Sequence, residues 1–102
     1  MSVLSVNKHN FDSVKSSDKT VLLDFYADWC GPCRMVSPVV DQIAEENPQY
    51  LVGKINVDQE PELAQAFGVM SIPTLAVMKN GQVVQKSAGA RPKAQILSML
   101  TG

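Results

Sequence analysis

The sequence has 102 residues, 45% of them hydrophobic and 19% charged, which suits one globular domain and excludes disordered and low-complexity classes. Nine Lys and Arg against ten Asp and Glu leave a net charge of −1, so no basic surplus recruits nucleic acid or anionic lipid. Only two cysteines are present, too few for a fold stapled by disulfides, so a hydrophobic core has to hold the chain together.

The first ten residues lack the apolar stretch and small-residue cleavage site of a secretory signal, and the Arg-rich pattern of a transit peptide. No run approaches the roughly 18 apolar residues of a transmembrane helix. The expectation is a cytoplasmic protein with no membrane partner, and one domain over residues 1–102 without linker or repeat.

In chain order, residues 3–6 read as an edge strand and 11–14 as part of a short helix. Residues 21–27 (VLLDFYA) and 50–57 (YLVGKINV) are near-continuous apolar runs, the pattern of strands covered on both faces. Between them, residues 32–47 place Met35, Val36, Val39, Val40, Ile43 and Ala44 at helical spacing, with Pro38 expected to kink the helix. Strand, helix and strand in this order imply a parallel crossover. Residues 58–67 read as a short helix started by cap-like Asp58, with Pro61 in its first turn. Residues 74–78 and 82–88 are strands joined through Lys79-Asn80-Gly81, where Asn-Gly favours a tight hairpin. Residues 91–100 close the chain as a helix with Pro92 at its start and Ile96, Leu97 and Leu100 inward. The expected fold class is α/β: a mixed central sheet, βαβ then ββα, with helices on both faces.

Trp29-Cys30-Gly31-Pro32-Cys33 falls between the first buried strand and the long helix. Two cysteines at this spacing can close a disulfide. The first would sit at or just before the helix N-terminus, where unpaired amides and the helix dipole stabilise a thiolate. Cys30 is therefore the expected nucleophile, and Cys33, one turn inside, is expected to be more buried and less reactive. A structural staple is disfavoured, because so short a loop removes little entropy from the unfolded chain. A metal site needs four ligands, and His9 is the single further soft candidate. Two inert buried thiols fit poorly with Gly-Pro between them at a strand–helix junction. Redox use is the leading reading, with no metal and no cofactor beyond the Cys30–Cys33 couple.

The chain resembles the thioredoxin family over essentially its whole length. The resemblance is carried by residues 24–33 (DFYADWCGPC), Pro38, residues 54–58 (KINVD), Ile72-Pro73-Thr74, Asn80-Gly81 and Gly89. It implies a thioredoxin fold and a thiol–disulfide oxidoreductase. Gly31-Pro32 between the cysteines implies a reductant of disulfide-containing target proteins, recycled by a thioredoxin reductase. In the family mechanism Cys30 attacks the target disulfide and Cys33 resolves the mixed disulfide. Asp24, inside an apolar run that should raise its pKa, fits as the proton acceptor for Cys33. The resemblance places Lys54 beside Asp24 to tune it; a lysine reaching to solvent is the competing reading. It also makes Pro73 a cis-proline packed on the cysteine pair, where the Ile72 backbone pairs with an extended target. Trp29, Gly31, Pro32, Ile72 and Gly89 would line a flat apolar docking surface. Tyr26 stands where many members have Trp, and Met70 where Arg is frequent. His9 is read as a surface residue and the five methionines as pliable core filler. The rival function is a scaffold or subunit use of the same fold, and oxidant or isomerase activity is a third; a monomer is expected.

Overall fold

Residues 3–102 are described by a computed structural model. Met1 and Ser2, the start of the stretch read above for targeting signals, lie outside the described residues. The elements in order are β1 (Val3–Ser5), α1 (Phe11–Lys15), β2 (Thr20–Tyr26), α2 (Gly31–Glu46), β3 (Tyr50–Asn56), α3 (Pro61–Ala66), β4 (Thr74–Lys79), β5 (Gln82–Ala88) and α4 (Lys93–Thr101). They build one five-stranded sheet in the order β1-β3-β2-β4-β5. β1 and β2 run parallel to β3, whereas β4 is antiparallel to both β2 and β5.

The apolar runs are continuous because both faces of the central strands are covered. Val21, Leu23 and Phe25 of β2 join Ile55, Ala76 and Met78 in one core, under α1 and α3. Leu22 joins Val52, Leu75 and Val77 in a second core, closed by Val36, Val40 and Ile43 of α2 and Ile96 and Leu100 of α4. The alternation along β2 is the two-residue period of a strand. It puts Asp24 on the α2 face with Leu22.

Several expectations shift. Asp58 does not start α3. Asn56 captures the following turn, its side chain accepting from the Asp58 amide at 2.9 Å and its carbonyl accepting from the Glu60 amide at 2.8 Å. The helix begins at Pro61 instead, after Glu60. The last helix begins at Lys93, with Pro92 in the capping position. Pro38 stands inside α2, where the sequence places it, and is exposed. Met35 and Met70 are exposed, so methionine is core filler at Met78 but not at these two positions. The hairpin forms as read, with Asn80 at φ 55 and Gly81 at φ 78, the left-handed pair that matches strand twist.

Gly53 lies where β1 and β3 approach. A Cβ there would come within 2.5 Å of Val6 Cγ2 and 3.2 Å of Leu23 Cδ2, and both neighbours are fixed in the core. Gly53→Ala is expected to destabilise the protein by roughly 1–3 kcal/mol, the range for overpacking. A urea titration would read this as a lower midpoint at unchanged slope.

Candidate functional site

The topology brings three loops to one end of the sheet. β2 and β3 end side by side, Tyr26 opposite Asn56, and the Val57 amide donates to the Tyr26 carbonyl at 2.9 Å. β4 runs the other way, so its first residue, Thr74, lies opposite Phe25 near the end of β2. Ala88, the last residue of β5, lies opposite Thr74 in turn. The segments after β2, before β4 and after β5 therefore meet at one pole.

The segment after β2 carries the cysteines. Cys30 caps α2 from an extended backbone conformation, and its Sγ accepts a hydrogen bond from the Cys33 amide at 3.2 Å. Pro32 occupies the first turn, where its missing donor costs nothing. Cys30 and Cys33 are disulfide-bonded, with Cα atoms 5.3 Å apart. When the bond is reduced, the same amide and the positive end of the helix face the Cys30 sulfur and favour its thiolate. The expected contrast in burial is absent: Cys30 is 4% exposed and Cys33 3%. Both pack with Ala27 beneath Tyr26, Val57 and Ile72. What distinguishes the sulfurs is position on the helix, Cys30 holding the cap and receiving the amide.

Asp24 is 1% exposed, and neither carboxylate oxygen has a hydrogen-bond partner among the described residues. Burial raises its pKa from 3.8 to about 6; Lys54 draws it down and Asp41 pushes it up. Lys54 is the register partner of Asp24 on β3. Lys54 is half-buried, and its ammonium does not bond the carboxylate. It donates to Ser37 Oγ at 3.0 Å and stands 5.0 Å from the centroid of the Tyr26 ring. Tyr26, Cys33, Ser37 and Lys54 line one cavity of about 180 Å³.

The residues expected to form a docking surface gather on the outer side. Trp29 is 70% exposed, and its indole donates from Nε1 to Asp58 Oδ2 at 2.9 Å. Gly31 and Pro32 are exposed, and a Cβ at Gly31 would meet nothing within 4 Å. The Ile72–Pro73 peptide bond is cis. Thr74 Oγ1 donates to the Ser71 carbonyl at 2.6 Å, and the Gly89 amide donates to the Pro73 carbonyl at 2.7 Å. Ile72 and Gly89 are half-buried and Pro73 is buried. A groove of about 410 Å³ runs between Trp29 and Ile72, lined also by Val57, Ala64, Val69, Met70 and Ser71. Met70 stands 95% exposed on its rim. The sequence reading missed Val57, Ala64 and Val69, whose spacing is that of ordinary core residues. It also missed Ser37 and the bond of Asp58 to Trp29, for which no local pattern exists.

Among the described residues, no group of three or more His, Cys, Asp or Glu is placed to hold a metal ion. None of their helices is long and apolar enough to cross a membrane. The thioredoxin family model matches residues 2–102. The chain is 50% identical over 102 residues to a thioredoxin of Porphyra purpurea, covering 98% of this chain and 95% of that protein. It is 49% identical over 92 residues to a bifunctional thioredoxin reductase/thioredoxin of Mycobacterium leprae, covering 89% of this chain and 20% of the relative. A solved mutant thioredoxin from Halobacterium salinarum superposes with a TM-score of 0.90 at 39% identity, covering 96% of this chain and 87% of the other.

Proposed function

The chain belongs to the thioredoxin family, and from that premise we propose how its disulfide and the surfaces around it act. The protein is a thiol–disulfide oxidoreductase, a protein-disulfide reductase recycled by a separate reductase. The observation that carries the residue assignments is the redox pair at the cap of α2, with the Cys33 amide on Cys30 Sγ.

In the reduced protein, the Cys30 thiolate attacks one sulfur of a target disulfide. A Cys30–target disulfide forms, and the target's other sulfur leaves as a thiolate and takes up a proton. Cys33 gives its proton to Asp24 and attacks Cys30 Sγ, forming Cys30–Cys33 and releasing the second target thiolate. Two electrons pass from the dithiol to the target. With its pKa near 6, Asp24 is ionised at neutral pH yet basic enough to take a thiol proton. Lys54 tunes Asp24 through its charge. The target lies as an extended segment across Trp29, Gly31 and Pro32, with the Ile72 backbone, held by cis-Pro73 and Gly89, pairing with it as an added strand. The disulfide serves in place of a cofactor. The proposal extends to a cytoplasmic monomer, because a reducing compartment suits a dithiol that must be regenerated after each cycle.

The test is turnover. The reduced protein, given NADPH and a thioredoxin reductase, is expected to reduce insulin catalytically, read as NADPH oxidation. Absence of turnover by a folded protein would sink the reading.

A further inference from the structure

The α2 face of the sheet holds an arrangement that the exchange reaction does not by itself require. Asp24 and Lys54 are register partners on adjacent strands, and a carboxylate and an ammonium so placed would be expected to bond directly. Instead both Asp24 oxygens lack hydrogen-bond partners among the described residues. The ammonium is bonded to Ser37 Oγ at 3.0 Å, over the Tyr26 ring, in the cavity that Cys33 also lines. A buried carboxylate without partners is costly. One retained beside an available cation therefore calls for something that holds the cation away.

We infer that Ser37 is a positioning residue: its hydroxyl holds the Lys54 ammonium off Asp24, so that the carboxylate feels the charge without being bonded by it. The inference rests on the reading of Asp24 as the base for Cys33 only in its catalytic consequence. The charged groups that act on Asp24 or line the cavity shared by Lys54 and Cys33 are few. Lys54 comes from β3, Asp41 and Arg34 from α2, and Asp28 from the β2–α2 loop. Arg34 donates from Nη2 to the Asp28 carbonyl at 2.9 Å. β4 places Leu75 opposite Asp24, and α4 contributes Ile96 and Leu100 to this face; the charges these elements carry are engaged elsewhere, Lys93 on Glu46 and Lys79 on the Gly102 carbonyl. Without the Ser37 hydroxyl, the unpartnered acceptor on the neighbouring strand is the Asp24 carboxylate. A direct ion pair would form and hold Asp24 ionised to lower pH. Asp24 would then be a weaker base.

The experiment follows the Asp24 carboxyl carbon by NMR titration of the oxidised protein, so it does not depend on turnover. Ser37→Ala is expected to lower the midpoint by roughly half a unit to one unit, whereas Ser37→Thr keeps the hydroxyl and the wild-type midpoint. In a Lys54→Met background, Ser37→Ala is expected to cause no shift. An unchanged or raised midpoint in Ser37→Ala overturns the inference, as does an equal fall without Lys54. The acid limb of the insulin-reduction profile is measured alongside. A lowered NMR midpoint with no change in that limb overturns the assignment of Asp24 as base and leaves the role of Ser37 standing.

Discussion

Cys30→Ser is expected to bring insulin reduction down to the uncatalysed background while the protein remains folded. The disulfide closes so short a loop that its loss costs only about 2 kcal/mol of chain entropy, against cores on both sides of the sheet. Cys33→Ser separates the two sulfurs more sharply. It leaves Cys30 at the helix cap, still able to attack but with no internal thiol to resolve the product. Incubated with an oxidised target, it should accumulate a mixed disulfide, seen as a mass adduct that dithiothreitol removes. Cys30→Ser should form no such adduct at a comparable rate. An adduct that forms instead through Cys33 would reverse the order of attack. The two residues are buried to nearly the same extent, 4% and 3% exposed, so burial of the residue as a whole predicts no difference between them. Preference for Cys30 would then be attributable to the helix cap and the Cys33 amide.

Asp24→Asn is expected to change stability and activity in opposite directions. The rise of the carboxyl from 3.8 to about 6 corresponds to about 3 kcal/mol, at roughly 1.4 kcal/mol per pH unit. The folded pKa lies above the unfolded one, so the folded state holds its proton longer. The associated stability is intact below 3.8, falls as pH rises toward about 6, and is absent above that. Asparagine mimics the protonated carboxyl and does not titrate. Its stability relative to wild type should therefore grow by about 3 kcal/mol between about pH 3.5 and about pH 8, or roughly 10–25 °C in Tm for a chain of this size. Thermal melts of the oxidised proteins across that range check it; a pH-independent difference would mean that Asp24 does not titrate as a buried acid. The same substitution should slow the resolving step on the order of a hundredfold at neutral pH, the loss of one general base. The wild-type rate should decline below about pH 6, while the variant should lack that inflection.

These effects were legible to different degrees. The buried strands, the hairpin at Asn80-Gly81 and the cysteine pair at a helix start are local signals, and they stand as read. Asp24 stood out because a carboxylate inside an apolar run has few alternatives to desolvation. The partners of Lys54 were not legible, since the ammonium end of a long side chain is placed by the helix packed above it rather than by its own strand. Asp58 illustrates competition between local rules. It has the composition of a helix cap, yet Asn56 takes the neighbouring amides first, which leaves the Asp58 carboxylate for Trp29. Methionine burial was misread for a related reason. Met35 continues an apolar spacing along α2, but residue type alone does not say where the apolar stripe of a helix ends.

The direction of the strands has a practical corollary. β5 ends at the disulfide pole, and α4 runs back from it to Gly102, whose carbonyl accepts from Lys79 Nζ at 3.2 Å, beside the Asn80-Gly81 turn. That turn lies at the far end of β4 from Thr74. A tether, surface linkage or fused domain attached past Gly102 would therefore leave from the antipode of the reactive sulfurs. Such an anchored protein would present its cysteines outward to large substrates.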